Sequence, residues 1–134
     1  MKRFLKFLIA LVAGLGINFL MVLLLLNSCD DLCQNQIKMR QLSPNRELKA
    51  VVFVRDCGAT TSFSSQIAIL ESSEKLTSRD GGNIYIVDEQ LDNLKVKWLN
   101  NKKLLIETPK VSERKIFEQK RLFKGVEIEY RIIN

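Results

Sequence analysis

The chain contains no histidine among its 134 residues. Imidazole is the base of Ser-His-Asp and Cys-His sites, a common zinc ligand and the side chain that titrates near neutral pH. Its absence therefore excludes those catalytic arrangements, histidine zinc sites and imidazole proton shuttles. The sequence also lacks a glycine-rich phosphate loop, heptad repeats and a low-complexity linker. We accordingly expect no cofactor.

A strong excess of one charge is also missing. The net charge is +6, and half of it comes from Lys2, Arg3 and Lys6 at the start of an apolar run. The rest of the chain has 18 basic residues against 15 acidic ones, so we predict no nucleic-acid partner. Residues 101–124 hold eight Lys or Arg against three Glu. A solvated surface accounts for this bias, and contact with anionic lipid or a partner is the alternative.

Residues 4–26 form the apolar run, which contains one charge, Lys6, and one amide, Asn18. As a helix the run would be about 35 Å long, enough to cross a hydrocarbon core of about 30 Å. Basic residues precede it, and Asp30 and Asp31 follow it. This charge order predicts a single-pass segment of a bacterial inner membrane, with the N-terminus in the cytoplasm and the C-terminal domain in the periplasm or exterior.

A lipoprotein signal is the alternative for this segment. "LLNSC", residues 25–29, resembles a bacterial lipobox in which Cys29 would become the lipidated N-terminus, although Asn27 departs from that pattern. Both interpretations make the membrane a partner and place the remaining chain outside the cytoplasm. We therefore divide the chain into a membrane anchor (1–28), a juxtamembrane linker (29–42) and an extracytoplasmic β domain (43–134).

The three cysteines are Cys29, Cys33 and Cys57. Thiols outside the cytoplasm tend to pair. The favoured scheme joins Cys33 to Cys57, closes a loop of about 25 residues and contributes about 3 kcal/mol of stability. It leaves Cys29 free, lipidated or bridging two chains. Cys29–Cys57 and Cys29–Cys33 pairs are the alternatives.

A three-thiolate metal site would lack both histidine and a second close cysteine pair, so we predict no metal site.

The rest of the chain alternates between short strand patterns and turns. The predicted strands and hairpins are residues 50–54 with 63–69, 84–88, 94–98 with 104–106, and 126–132. Residues 110–123 fit either a helix or an irregular strand. We expect a mostly β fold, with one small antiparallel sheet that is blade-like or sandwich-like and at most one short helix. The expected aromatic core residues are Phe53, Phe63, Trp98 and Tyr130.

Three segments carry a family resemblance: "SPNRELKAVVFVRDCGATTSFSSQIAIL", "GGNIYIVD" and "VKWLNNKKLLI". They resemble a group of small uncharacterised bacterial proteins with the signature S-P-x-x-x-x-K-A-V-V-F-x-R-D-C-G-A-T-T-x-F-S-x-Q, over most of residues 29–132. In the fuller pattern the Ser-Pro turn continues Asp-Gly, whereas this chain has Asn45 and Arg46. The resemblance implies a membrane-anchored or lipoprotein-type β domain with an upstream cysteine such as Cys33, and it implies no mechanism.

The stretch "RDCGATTS" supplies a candidate binding loop, because loop hydroxyls and exposed backbone amides bind anions or peptide backbone. Its members are Arg55, Asp56, Gly58, Thr60, Thr61 and Ser62. The alternative is a turn whose hydroxyls bond their own backbone. A second cluster, formed by Asp88, Glu89 and Asp92, fits a solvated turn better than a cation site, because it lacks the spacing of a calcium loop.

The function that these features favour is a non-enzymatic, membrane-tethered β domain that binds an unknown protein partner or supports the cell envelope. We predict no catalytic residue. The first alternative is a redox protein or enzyme that uses Cys57 with Asp56, Lys49 or Arg55, which requires a base or a field that lowers the thiol pKa. The second alternative is an immunity-type protective protein.

Overall fold

The computed structural model describes residues 1, 3–6, 12, 14, 16–19, 21, 22, 33–58 and 61–133. The chain divides into two compact units, Met1–Leu32 and Cys33–Asn134. In the first unit the described residues after Met1 are helical. The Asn18 side-chain amide donates to the Gly14 carbonyl oxygen at 2.9 Å, one turn earlier. The predicted lipidation site, Cys29, lies outside the described residues.

The predicted membrane location is contradicted. Within the described part of the chain, no helix is long and apolar enough to cross a membrane. The predicted single-pass segment and the inner-membrane location inferred from it are therefore wrong.

The second unit is built from β-strands, nine of them among its described residues. The strands are β1 (Gln34–Leu42), β2 (Leu48–Asp56), β3 (Ser64–Glu71), β4 (Tyr85–Val87), β5 (Lys95–Asn100), β6 (Lys103–Pro109), β7 (Ile116–Gln119), β8 (Leu122–Phe123) and β9 (Val126–Ile133). A short 3-10 helix, Glu113–Lys115, precedes β7. The prediction of a mostly β fold is confirmed.

The strands form two sheets where the sequence predicted one. Sheet A has the order β1-β2-β3-β4-β7, and all its neighbouring strands are antiparallel. Sheet B has the order β5-β6-β9-β8, and β6 and β9 run parallel. The parallel pair arises because the chain leaves β6, adds β7 to the edge of sheet A and returns through the β8–β9 hairpin. Such a connection needs a dozen or more residues, which Lys110 to Gly125 supply.

The main core lies between the two sheets. Alternate residues of β2 and β3 face it, among them Val52 and Ile67, and residues of sheet B such as Trp98, Leu104 and Ile128 face it from the other side. The Trp98 indole N–H donates to the Gln41 carbonyl oxygen at 3.0 Å and so ties sheet B to β1. The arrangement is a two-layer sandwich in which each sheet buries one apolar face of its alternating strands.

The opposite face of sheet A is also covered, here by residues 72–83, which we call the strap. A second apolar cluster of Val51, Phe53, Ala68 and Leu70 lies on this outer face, and Ile37 and Leu76 pack against it. The strap is attached by the Lys49 ammonium group, which donates to the Ser72 carbonyl oxygen at 2.8 Å. Both faces of β2 are therefore buried, which explains its continuous apolar run.

Several local predictions can be compared with these elements. Phe53 and Trp98 are buried as predicted, and Tyr130 packs at the edge of the main core. Phe63 was expected in the core, but it precedes β3 and is 51% exposed. The undecided segment 110–123 forms the short helix, β7 and β8. Residues 34–42, assigned above to a linker, form β1.

Candidate functional site

The disulfide joins Cys33 to Cys57, as predicted. Cys33 immediately precedes β1 and Cys57 immediately follows β2. The register pairs Gln34 with Asp56, so the two cysteines continue the same antiparallel ladder. The bond therefore fixes the end of the β1–β2 pair. It also leaves Cys57 without a free thiol, so a nucleophilic Cys57 would first require reduction of this bond.

A cleft of about 410 Å³ lies beside the disulfide, and we call it the disulfide-end cleft. Gln34 and Gln36 from the start of β1, Val54 and Asp56 from the end of β2, and Phe63 from the following loop line it, together with Asn35. The alternation of β1 and β2 places the side chains of Gln34, Gln36, Val54 and Asp56 on the face of sheet A that also bears the main core. The cleft is thus an open continuation of the space between the sheets.

The two glutamine side chains are available for a ligand. Both residues are exposed, and within the described part of the chain neither side-chain amide has a hydrogen-bond partner. An amide carries both donors and acceptors, so each can bond a group that does both. The Phe63 ring is half exposed and supplies an apolar surface at the same cleft.

A smaller hollow of about 130 Å³ adjoins the disulfide-end cleft, and Val54 lines both. We call the two together the extended cleft. The polar lining of the hollow includes Lys38, Gln90 and Asp92. The buried Ser65 hydroxyl accepts from the Leu91 backbone N–H at 2.8 Å and holds the segment after β4 against β3. The lining of the extended cleft is therefore mixed in charge, with one cation and two carboxylates, Asp56 and Asp92.

The predicted binding loop is divided between two surfaces. Asp56 lines the disulfide-end cleft, and its Oδ1 accepts from the Gly58 backbone N–H at 2.9 Å. Thr61 bonds the Gly58 carbonyl oxygen through both its backbone N–H and its hydroxyl, each at 3.1 Å. These bonds match the alternative of a self-bonded turn. Thr60 lies outside the described residues.

Arg55, Thr61 and Ser62 line a shallow groove on the outer face of sheet A instead, next to Cys57. The Arg55 guanidinium is already engaged: it donates to Asn35 Oδ1 at 3.1 Å and to the Asp80 carbonyl oxygen. The sheet separates these residues from Asp56, because neighbouring strand residues point to opposite faces. The predicted loop residues therefore do not converge on one site.

Arg55 belongs to the attachment of the strap. The Asn35 amide donates to the carbonyl oxygens of Thr77 and Asp80 at 2.6 and 2.7 Å. The pKa of the Asp80 carboxyl is lowered, chiefly by hydrogen bonds from the Thr77 backbone and hydroxyl; burial opposes this shift, and the positive charge of Arg55 adds to it. Arg55 and Asn35 therefore have a structural role that the sequence did not indicate.

The acidic cluster considered as a cation site does not assemble. Glu89 pairs with Lys115, while Asp92 lies on the extension of the cleft. Among the residues that the structure describes, no three His, Cys, Asp or Glu side chains come close enough together to hold a metal ion.

Comparisons with protein-family models, with curated proteins and with solved structures find no match for the chain.

Proposed function

We propose that residues 33–133 form a non-enzymatic binding module and that its ligand occupies the disulfide-end cleft. The observation that carries this proposal is the pair of exposed amides of Gln34 and Gln36, which have no hydrogen-bond partner among the described residues and lie on a strand fixed by the adjacent disulfide. Binding sites gain affinity when their polar groups are held in place before the ligand arrives. Here the disulfide restrains β1 relative to β2, and the two neighbouring strands supply adjacent parts of the cleft lining.

The chemistry of the cleft favours a neutral oligosaccharide as the ligand. Sugar hydroxyls both donate and accept, as do the amides of Gln34, Gln36 and Gln90. The exposed Phe63 ring offers an apolar surface for the non-polar face of a sugar ring. Among the residues that the structure describes, Lys38 is the one cationic side chain in the lining of the extended cleft, so a phosphate-rich ligand would find little charge compensation.

A panel of neutral oligosaccharides tests this proposal by isothermal titration calorimetry on the full chain. We expect Gln36→Ala and Phe63→Ser each to weaken binding by about tenfold, because each loses a contact worth about 1 kcal/mol or more. Phe117→Ser is the matched control, since Phe117 is 68% exposed but lies on the outer-face groove.

The outcomes separate the ligand class from the site. Binding that persists in Gln36→Ala and Phe63→Ser, or that is lost equally in Phe117→Ser, would reject the disulfide-end cleft. If no oligosaccharide binds but extended peptides do, with the same dependence on Gln36 and Phe63, the module instead recognises a protein partner. Absence of any ligand in both panels would reject the proposed function.

A further inference from the structure

A separate cavity of about 230 Å³ lies between β4 and β7 of sheet A and the ends of β6 and β9 of sheet B. It shares no lining residue with the disulfide-end cleft. Val111, Ile116 and Ile132 supply the apolar part of its walls, Gln119 adds a polar side chain, and Tyr85 and Tyr130 lie at its base. Ile132 is 63% exposed, so this wall stands at the mouth of the cavity.

The polar atoms at the base are already bonded to the protein. The Tyr85 hydroxyl and Thr108 Oγ1 are 3.1 Å apart, and the Thr108 hydroxyl donates to the Pro109 carbonyl oxygen. The Tyr130 hydroxyl donates to the Lys120 carbonyl oxygen at 2.7 Å. The two tyrosine rings pack with their centroids 5.5 Å apart. A ligand that enters the cavity therefore meets ring and hydrocarbon surface at the base, not unpaired hydrogen-bonding groups.

Arg121 brings an uncompensated positive charge to this cavity. It lines the cavity, and among the described residues its guanidinium has no hydrogen-bond or ion-pair partner. The nearby carboxylate of Glu118 is engaged by the Lys120 ammonium group at 3.9 Å. The positive charge of Arg121 acts on the Tyr130 hydroxyl, where it opposes the rise in pKa that burial causes. The Arg121 guanidinium therefore lies at the cavity and forms no ion pair with any carboxylate among the described residues.

We propose that this cavity binds a small monocarboxylate with a short hydrocarbon chain. The carboxylate pairs with the Arg121 guanidinium, whose planar fork matches two carboxylate oxygens. The chain lies between Val111, Ile116 and Ile132, where its burial is favourable. A cavity of about 230 Å³ has room for a short hydrocarbon chain, and we take the six-carbon carboxylate hexanoate as the probe. This site is independent of the proposed function of the disulfide-end cleft.

The test is a methyl NMR titration of the full chain with hexanoate. We expect saturable shifts at the methyl groups of Val111, Ile116 and Ile132, and about tenfold weaker binding of hexanol, which lacks the charge. Arg121→Gln should weaken hexanoate binding by about tenfold and remove the preference over hexanol. Arg114→Gln is the matched control, because Arg114 is an exposed cation outside the cavity.

Three results of the hexanoate titration, and a fourth with a peptide, would overturn the proposal. The first is an absence of saturable shifts at the three wall residues. The second is equal affinity for hexanoate and hexanol. The third is unchanged binding in Arg121→Gln. A second variant, Ile132→Glu, places a carboxylate at the exposed wall and should abolish hexanoate binding while leaving methyl signals far from the cavity unchanged. Tighter binding of a peptide with a C-terminal leucine at the same methyl groups would reassign the site to a protein terminus and reject the small ligand.

Discussion

Arg46, in the turn between β1 and β2, has a φ of 59°, in the left-handed region that side chains other than glycine rarely adopt. The surrounding turn is tightly bonded: the Ser43 hydroxyl donates to the Leu48 carbonyl oxygen at 3.0 Å, and the Arg46 backbone N–H donates to the Ser43 carbonyl oxygen at 2.8 Å. The turn therefore holds Arg46 in a conformation that its own Cβ disfavours.

We predict that Arg46→Gly raises the free energy of unfolding by about 1 kcal/mol, because glycine adopts this φ without steric cost. Urea denaturation followed by circular dichroism measures the change. Arg46→Ala is the control, since alanine removes the side chain but keeps the Cβ. Equal stabilisation by alanine and glycine would show that the long side chain, and not the backbone conformation, is responsible.

At the scale of elements, the strap depends on a close approach of its backbone to β3. A Cβ added at Gly82 would lie 2.9 Å from the Gln66 Cβ, 3.0 Å from the Tyr85 carbonyl oxygen and 3.1 Å from the Ile67 carbonyl oxygen. The Gly82 backbone N–H also donates to Gln66 Oε1 at 2.6 Å. The strap can therefore join β4 only if residue 82 has no side chain.

We predict that Gly82→Ala lowers the free energy of unfolding by about 2–3 kcal/mol, because two of the clashes are with backbone atoms that cannot move cheaply. Gly81→Ala is a matched control in the same strap, since its added Cβ would meet only Gln66 Oε1, at 3.5 Å. Thermal unfolding of the two variants should separate them clearly. Similar losses in both would contradict the steric explanation, because the reduced entropy of the unfolded chain makes a glycine-to-alanine change stabilising by itself.

The elements that the sequence predicts well are those whose apolar residues alternate without interruption. β5 and β9 show this alternation, and both are present. β1 was missed because its sequence is polar and because a register shift occurs between Ile37 and Met39. Ile37 packs against the outer cluster and Met39 against the main core. Two residues that are two positions apart thus face opposite sides, which a period of two does not predict.

The candidate site was predictable only in part for the same reason. The cysteine pairing and Asp56 were identified from local sequence. Gln34 and Gln36 were not, because they line the cleft only as part of β1, the strand that the sequence analysis missed. Phe63 was placed in the core by extending the alternation of residues 65, 67 and 69 backward, but β3 begins at Ser64. The parallel pairing of β6 with β9 joins segments that are distant along the chain, and local periodicity carries no information about such partners.

At the scale of the whole molecule, both tyrosines of the chain connect the two sheets. Burial is the main cause of the raised pKa of both Tyr85 and Tyr130. For Tyr85 the hydrogen bond with Thr108 opposes the rise and the charge of Glu89 adds to it. Both hydroxyls are therefore protonated in the folded state at a pH where an unfolded tyrosine, with a pKa of about 10, begins to ionise.

A group whose pKa is raised in the folded state contributes stability that is fully present below its unfolded-state pKa. This contribution is lost as the pH rises from the unfolded-state pKa through the folded-state pKa. We predict that the free energy of unfolding falls above pH of about 10 and that phenolate absorbance increases together with the loss of native circular dichroism. Tyr130→Phe should be less stable at neutral pH, because the bond to the Lys120 carbonyl is lost, but its stability should depend less on alkaline pH. Phenolate formation at the ordinary pKa in a fully native protein would contradict the burial of both hydroxyls.

β9 is the last strand along the chain but occupies an interior position in sheet B, between β6 and β8. Its Val126 and Ile128 fill part of the main core. Because a ribosome delivers the chain from its N-terminus, β6 emerges with one side of its backbone unmatched and waits for this late segment. One backbone edge of β6 therefore stays unpaired until β9 has been synthesised, and until then it can pair with another chain.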